Sequence, residues 1–244
     1  MAFTYIFKRV EKKYLLTREQ YESLAERLAP HMHPDRFYES DIRNIYFDNS
    51  EDELIETSLK KPAYKEKLRL RSYGAPDADG MVFFEIKKKY QGVVYKRRIS
   101  MTRDEAYRYI RTGELPEDLI GNIPVEIDYM IRRYRLFPKA YIGYHRLALA
   151  GNNDPELRIT FDSRITSRYG DIRLESECPG EPLLPQGTTL MEIKIPGAMP
   201  LWLAHILSEL NIYPSSFSKF GTAHVRRKQE MMFRVKQYKL ASGY

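Results

Sequence analysis

Cysteine is almost missing from this chain: Cys178 is the single one among 244 residues. One thiol excludes an internal disulfide and a cysteine-based zinc site. Long apolar runs are missing as well. Nowhere do 18 apolar residues follow one another, and the N-terminus has no apolar signal-peptide core, so a cytoplasmic protein is expected, with peripheral contact at the inner face of a membrane left open. No glycine-rich phosphate loop of the GxxxxGK type and no kinase signature is present. His31, His33, His145, His205 and His224 show no metal-ligand spacing. With no low-complexity linker and no long-period repeat, residues 1–244 are expected to form one domain.

Cations, by contrast, are plentiful. Lys and Arg number 40 against 33 Asp and Glu, a net charge of +7. That excess favours polyanionic partners but does not choose among phosphate chains, nucleic acid and anionic lipid.

Where the cations stand is more informative than how many there are. In KEKLRLR, residues 65–71, strand periodicity places Lys65, Lys67, Arg69 and Arg71 on one face and Glu66, Leu68 and Leu70 on the other. Four cations in line, each about 7 Å from the next, repel unless something negative lies along them. Truncating Arg69 or Arg71 to Ala is therefore expected to leave stability level or to raise it. The pattern recurs along the chain. Read as one strand, residues 5–16 put Arg9, Glu11 and Lys13 together; residues 82–90 do so with Phe83, Glu85, Lys87 and Lys89; residues 93–101 with Lys96 and Arg98. Tyr144 and Arg146 share a face in 140–150, Arg158, Thr160, Asp162 and Arg164 in 157–165, and Glu192 and Lys194 in 190–197. A further strand, 41–49, separates Arg43 from Ile42, after a loop holding Pro30 and Pro34.

Helices fall between these strands. Thr17 with Gln20 forms a capping box ahead of the stripe Tyr21, Leu24 and Leu28, and Thr102 with Glu105 does the same for a helix closed by Gly113. Ser50 and Glu53 suggest a short capped helix ending before Pro62. Residues 125–136 turn Ile127, Met130, Ile131 and Tyr134 inward, Pro200 opens a helix through Leu210, and a last basic helix covers about 220–238. The arrangement that satisfies strands and helices together is an α+β fold: a closed antiparallel β-barrel, charged faces inward, with amphipathic helices packed outside. A lumen so lined suits a polyanion and is poorly suited to standing dry.

Seven short segments then carry a family resemblance: RVEKKY (9–14), KLRLRSYG (67–74), EIKKK (85–89), GYHR (143–146), LRITFD (157–162), MEIK (191–194) and SFSKFG (216–221). Their order and content resemble the VTC domain of polyphosphate polymerases, in its stand-alone bacterial form, within the triphosphate tunnel metalloenzymes. The resemblance implies an antiparallel barrel of about eight strands forming a triphosphate tunnel, ATP as phosphoryl donor, inorganic phosphate and polyphosphate as acceptors, Mn²⁺ or Mg²⁺ as cofactor, and a membrane protein as one conceivable receiver of product.

By the same resemblance Lys13, Arg69, Arg71, Lys87, Arg146, Arg158 and Lys219 are the catalytic phosphate-gripping residues, and Glu192 holds the metal. Lys96 matches a later phosphate lysine, with Arg98 on the same face, and Ser218 falls on the serine of the family's SKF segment. Arg9, Lys67 and Lys194 join the substrate-binding set through their shared faces. Glu11 and Glu85 are further metal candidates, Glu85 equally readable as a structural ion-pair partner of Lys87 or Arg69. Two departures matter. The hydrolytic tunnel enzymes open with Glu-x-Glu-x-Lys, whereas here the first position is Arg9, which favours polymerase over hydrolase. The yeast-type segment has a lysine where this chain has Ser216. A metal-dependent tripolyphosphate or nucleoside triphosphate hydrolase remains the alternative. A passive binder of polyphosphate or nucleic acid ranks last, since few aromatics stand among the cations for base stacking.

Overall fold

Period-two alternation in the sequence becomes one antiparallel sheet in the computed structural model, which describes residues 3–7, 10–91 and 93–241. In chain order the elements are β1 (Phe3–Phe7), β2 (Val10–Leu16), α1 (Arg18–Leu28), β3 (Met32–Asp48), α2 (Glu53–Leu59), β4 (Tyr64–Tyr73), β5 (Met81–Tyr90) and β6 (Val93–Thr102). There follow α3 (Arg103–Thr112), α4 (Asn122–Tyr134), β7 (Phe137–Gly151), β8 (Arg158–Arg168), β9 (Glu181–Pro182), β10 (Thr189–Ile195), α5 (Leu201–Glu209) and α6 (Lys219–Ala241). The sheet runs β1-β6-β5-β4-β3-β7-β8-β10-β2, with β9 attached to β8.

The closed barrel expected from the sequence needs correcting. Nine strands form the path, and among the described residues no hydrogen-bonded ladder joins its two ends. The described parts of residues 5–16 pair at different places. β1 pairs with β6 and β2 with β10, at opposite ends of the sheet. Two residues separate β1 from β2, so the chain itself keeps the two edges within roughly 11 Å, three trans peptide steps. A sheet whose ends are tied so closely must curl. Lys87 on β5 accordingly reaches Glu11 on β2 across the interior, at 3.3 Å.

Curling leaves most of the apolar faces outside, where helices cover them in two layers. Leu68, Leu70, Phe84 and Ile86 pack under α3 and α4 through Tyr109, Ile127 and Met130. Tyr14, Ile159, Phe161 and Ile193 pack under α1 and α5 through Leu24, Leu28, Leu203 and Leu207. A third apolar cluster lies on the inner face instead: Ile42, Ile142 and Leu190, on the same side of their strands as Tyr46, Tyr144 and Glu192, meet α2 and α6 through Ile55, Phe220 and Ala223. At about 25 cal/mol per Å² of apolar surface removed from water, these layers are the main stabilising term.

Both predicted capping boxes form: Thr17 with Gln20, and Thr102 with Glu105, the second helix closing on Gly113 at φ 75°. Ser50 does not cap α2. The N-cap there is Asp52, and the carboxylate of Asp48 accepts hydrogen bonds from the amides of Leu54 and Ile55 at 3.0 and 2.9 Å. Pro34 lies within β3, at a break in its register with β7, rather than in a loop. Arg164 leaves the charged face because a bulge opposite Gly143 and His145 places it at φ 50°, exposed. Arg43 lies outside as well, bound to the carbonyls of Leu174 and Ser176 and to Glu177. The basic run on α6 is not a free lipid-facing patch: Arg226 donates to the Pro182 and Leu183 carbonyls, Arg227 lies over the Tyr169 ring, and Lys228 pairs with Glu56. Among the described residues no helix is long and apolar enough to cross a membrane.

Candidate functional site

The concave face of the curled sheet encloses a cavity of about 640 Å³. Alternation on β4 explains its first wall: Leu68 and Leu70 are fully buried in the outer layer, so Lys67, Arg69 and Arg71 point inward. Strand register then sets side chains in rows. Tyr46, Arg69, Glu85 and Arg98 lie opposite one another across β3, β4, β5 and β6, and Lys67, Lys87 and Lys96 form the adjoining row. On the other wall Glu11, Lys194 and Arg158 form one row across β2, β10 and β8, and Lys13, Glu192 and Thr160 the next. Like charges directly opposite in a sheet destabilise it. Eleven Lys and Arg line the cavity against four Glu.

Every predicted site residue among the described ones lines this space: Lys13, Lys67, Arg69, Arg71, Lys87, Lys96, Arg98, Arg146, Arg158, Lys194, Ser218 and Lys219, with Glu11, Glu85 and Glu192. Arg9 lies outside the described residues. Lys65, fourth in the β4 series, lies beyond the cavity in a neighbouring pocket.

Two buried carboxylates organise the cations. Glu85, 1% exposed, meets Arg69 at 2.8 Å, Lys96 at 2.6 Å and Arg71 at 3.8 Å. Burial alone would raise its carboxyl, but Arg71, Arg69 and Lys96 outweigh burial and hold it well below the ordinary range. Asp162, also buried, takes Arg146 in a bidentate grip at 2.6 and 2.8 Å and Lys219 at 2.5 Å. Burial opposes its ionisation too, and Lys219 and Arg146 prevail. Tyrosines complete the frame. Arg69 donates to Tyr46 at 3.1 Å and Arg71 to Tyr144 at 3.2 Å, while Arg71 also donates to Asn44 at 3.0 Å. Lys219 sits 4.3 Å from the centre of the Tyr144 ring. The arginine pair is thus anchored by Glu85, Asn44 and the tyrosines, contacts that argue against its truncation leaving stability level.

Burial has the opposite effect on lysines. It pushes Lys96 down to about 7, aided by Arg69 and Arg71 and only partly offset by Glu85. Lys67 falls to about 8, chiefly by burial. The cavity is therefore primed to take up an anion and protons together.

The metal candidates separate. Glu11 and Glu192 make a side-chain hydrogen bond, sharing a proton between them, and burial of Glu192 is outweighed by Lys194, that bond, Lys13 and Arg146, which hold its carboxyl well below the ordinary range. Two facing carboxylates beside a phosphate site suit a hard divalent ion, which commonly takes one or two carboxylates and completes its shell with phosphate and water. Glu85 does not suit one, its oxygens facing Arg69 and Lys96; its partner is Arg69 rather than Lys87. Among the described residues no cluster of three His, Cys, Asp or Glu is placed to hold a metal without substrate.

Sequence reasoning gave no role to Asp162, Tyr46, Tyr144 or Asn44. Asp162 stood on the Arg158 face, and Tyr144 on the Arg146 face, so alternation could have found both. Tyr46 and Asn44 point inward on β3, a strand whose one nearby cation, Arg43, points the other way.

The chain shares its fold with a Bacillus halodurans protein provisionally named an adenylate cyclase, at 15% identity and a TM-score of 0.54, over 87% of this chain and 95% of that one. A Vibrio parahaemolyticus protein carrying the same provisional name matches at 12% identity and a TM-score of 0.47, over 88% and 97% of the two chains. The VTC domain profile matches residues 8–226, almost the whole sheet and every described residue of the cavity. A curled antiparallel sheet, a cation-lined interior and that match together make this chain a member of the VTC domain family, with the triphosphate-tunnel fold.

Proposed function

We propose that the protein is a polyphosphate polymerase, moving the γ-phosphoryl group of ATP onto the end of an inorganic phosphate chain. The observation that carries this reading is the convergence of eleven cations on one cavity in a VTC-family chain, with two carboxylates facing each other among them. Guanidinium forks hold phosphate oxygens at fixed angles, and Arg69, Arg71 and Arg146 are pre-set for it by Glu85, Asp162 and the tyrosines. Lys67, Lys87 and Lys96 add point charge along the same groove. In the transfer, the bond from Pγ to the β,γ-bridging oxygen breaks and a bond to a terminal oxygen of the acceptor forms, releasing ADP. That oxygen is already ionised, so positioning and charge neutralisation supply most of the rate and no strong protein base is required. Glu11 and Glu192 would hold Mn²⁺ or Mg²⁺, which when bound offsets charge on the phosphate oxygens.

Hydrolysis of a triphosphate in the same cavity is the second reading, favoured by Glu11, which keeps one of the two first-strand carboxylates that the hydrolytic tunnel enzymes use. Incubation of purified protein with ATP and Mn²⁺, with products resolved by size, tests both. Chains support the polymerase, free phosphate alone transfers the assignment to the hydrolase, and neither product under any divalent metal leaves a polyanion binder.

A further inference from the structure

A second pocket, of about 300 Å³, opens beside the cavity, and its polar lining is Lys61, Lys65, Lys89, Gln91 and Ser216. No carboxylate lines it. It continues the cavity along the same two strands: Lys65 opposite Lys89 is the next inward pair after Lys67 opposite Lys87, one step of about 7 Å further on. Residues 215–218 form the partition. The Ser215 amide donates to the Lys13 carbonyl at 2.7 Å, Lys67 donates to the Ser218 hydroxyl at 3.3 Å, and Ser216 lines the far side.

Two of the three lysines, Lys61 and Lys65, are held there against local preference, while Lys89 is exposed. Among the described residues none of them has a carboxylate partner; Lys65 donates to the Ser58 carbonyl at 3.2 Å. Burial, then Lys89 and Lys61, push the Lys65 ammonium down. Lys61 has φ 54° just past the end of α2, where Gly or Asn is the unstrained choice, and it precedes Pro62, which disfavours that backbone further. A lysine kept in left-handed backbone among other lysines, without an anion in the protein to meet it, points to an anion from outside.

We infer that this pocket is a subsite for the part of a linear polyphosphate that extends past Ser216, out of the cavity. The inference rests on the reading that the cavity holds a phosphate chain. It also gives a reason why Ser216 needs no positive charge of its own: Lys61, Lys65 and Lys89 supply it from the neighbouring wall. Lysines without aromatic partners fit bare phosphates better than nucleic acid, whose bases would ask for stacking surfaces.

The test is binding without nucleotide or metal, which separates it from polymerase activity. Tripolyphosphate and a polyphosphate of a few tens of units are titrated into wild type, Lys65→Gln/Lys89→Gln and Lys61→Gly. The double variant should bind the long chain about tenfold more weakly, with its salt dependence shallower by about one per lysine removed, and tripolyphosphate unchanged. Lys61→Gly should melt higher than wild type, its backbone relaxed, yet bind the long chain more weakly. Unchanged long-chain affinity, an equal loss for both ligands, or an equal loss for oligothymidylate overturns the subsite. Wild type that makes no chains while the length-dependent loss persists ends the polymerase reading and keeps the subsite; chains made by a protein without that loss do the reverse.

Discussion

Arg146 and Asp162 face each other across β7 and β8 as a bidentate pair, 2.6 and 2.8 Å apart, with the carboxylate inaccessible to water. Lys219 closes on the same carboxylate from the start of α6. One buried anion therefore ties the sheet to the helix that ends the fold.

Asp162→Asn should leave two cations facing each other without their anion. We predict a loss of about 3 kcal/mol in urea unfolding, as for other broken buried pairs. Polyphosphate should restore more stability to this variant than to wild type, its phosphates standing in for the carboxylate. The pH sign follows from the lowered pKa values of Asp162 and Glu85. Their stabilisation is complete above the ordinary carboxylate range near 4 and is lost as pH falls through their lower native values. Melting temperature against pH should thus show a shallower acid limb in Asp162→Asn; parallel limbs would refute the linkage.

Arg69→Ala and Arg71→Ala should each lose stability as well as activity. Arg69 leaves Glu85 and Tyr46 short of a partner, and Arg71 leaves Asn44 and Tyr144 so. A fall of about 2–3 kcal/mol is expected for each, with turnover lower by two orders of magnitude or about that. Melting curves run beside the product assay decide it. A variant as stable as wild type would show that repulsion along β4, rather than Glu85, dominates.

Lys96 sets a pH dependence of the opposite kind. Its pKa falls from an ordinary 10.5 to about 7, so the unfolded chain holds this proton through a range where the empty native cavity releases it. The contribution of Lys96 to the stability of the ligand-free protein should therefore rise between pH 7 and about 10. Bound phosphate draws the proton back, so polyphosphate affinity should weaken over the same range. Calorimetry at pH 8 in buffers of different ionisation enthalpy should find proton uptake on binding in wild type and less in Lys96→Gln. No uptake in wild type would rule out a neutral Lys96.

Glu192→Gln and Glu11→Gln should weaken Mn²⁺ binding in the presence of tripolyphosphate by about tenfold or more, because each removes one of two facing carboxylates. Glu85→Gln should leave Mn²⁺ binding in place while lowering stability, since Arg69, Arg71 and Lys96 lose their shared anion. Manganese resonance titrations separate these cases; a large metal defect in Glu85→Gln would return that residue to the metal site.

The inward faces of β4, β5, β6 and β10 were legible because period-two alternation sets a charged side against a mainly apolar one, as Leu68 and Leu70 show, whereas on β8 a bulge carries Arg164 off the face. The capping boxes at Thr17 and Thr102 were legible because their partners lie three residues away. What escaped depends on distant partners. Residues 5–16 alternate without a break, yet β1 and β2 go to opposite ends of the sheet, a choice made by β6 and β10. Asp162 looks like any strand carboxylate until register sets it against Arg146. Arg43 misled because a loop from 174 to 177 offers acceptors to a cation on the outer face.

The pairing of β2 with β10 also bears on when the site can come into being. Lys13 and Glu192 are neighbours in the ladder but roughly 180 residues apart in the chain, so at a synthesis rate of about 5–20 residues per second β2 waits some 10–35 s for its partner. The Lys13 carbonyl waits longer still, for Ser215. Through that interval the first residues of the cavity are among the last to find their places, and ribosome-bound chains halted before β10 should leave β2 open to protease while the β4–β5–β6 meander is already protected.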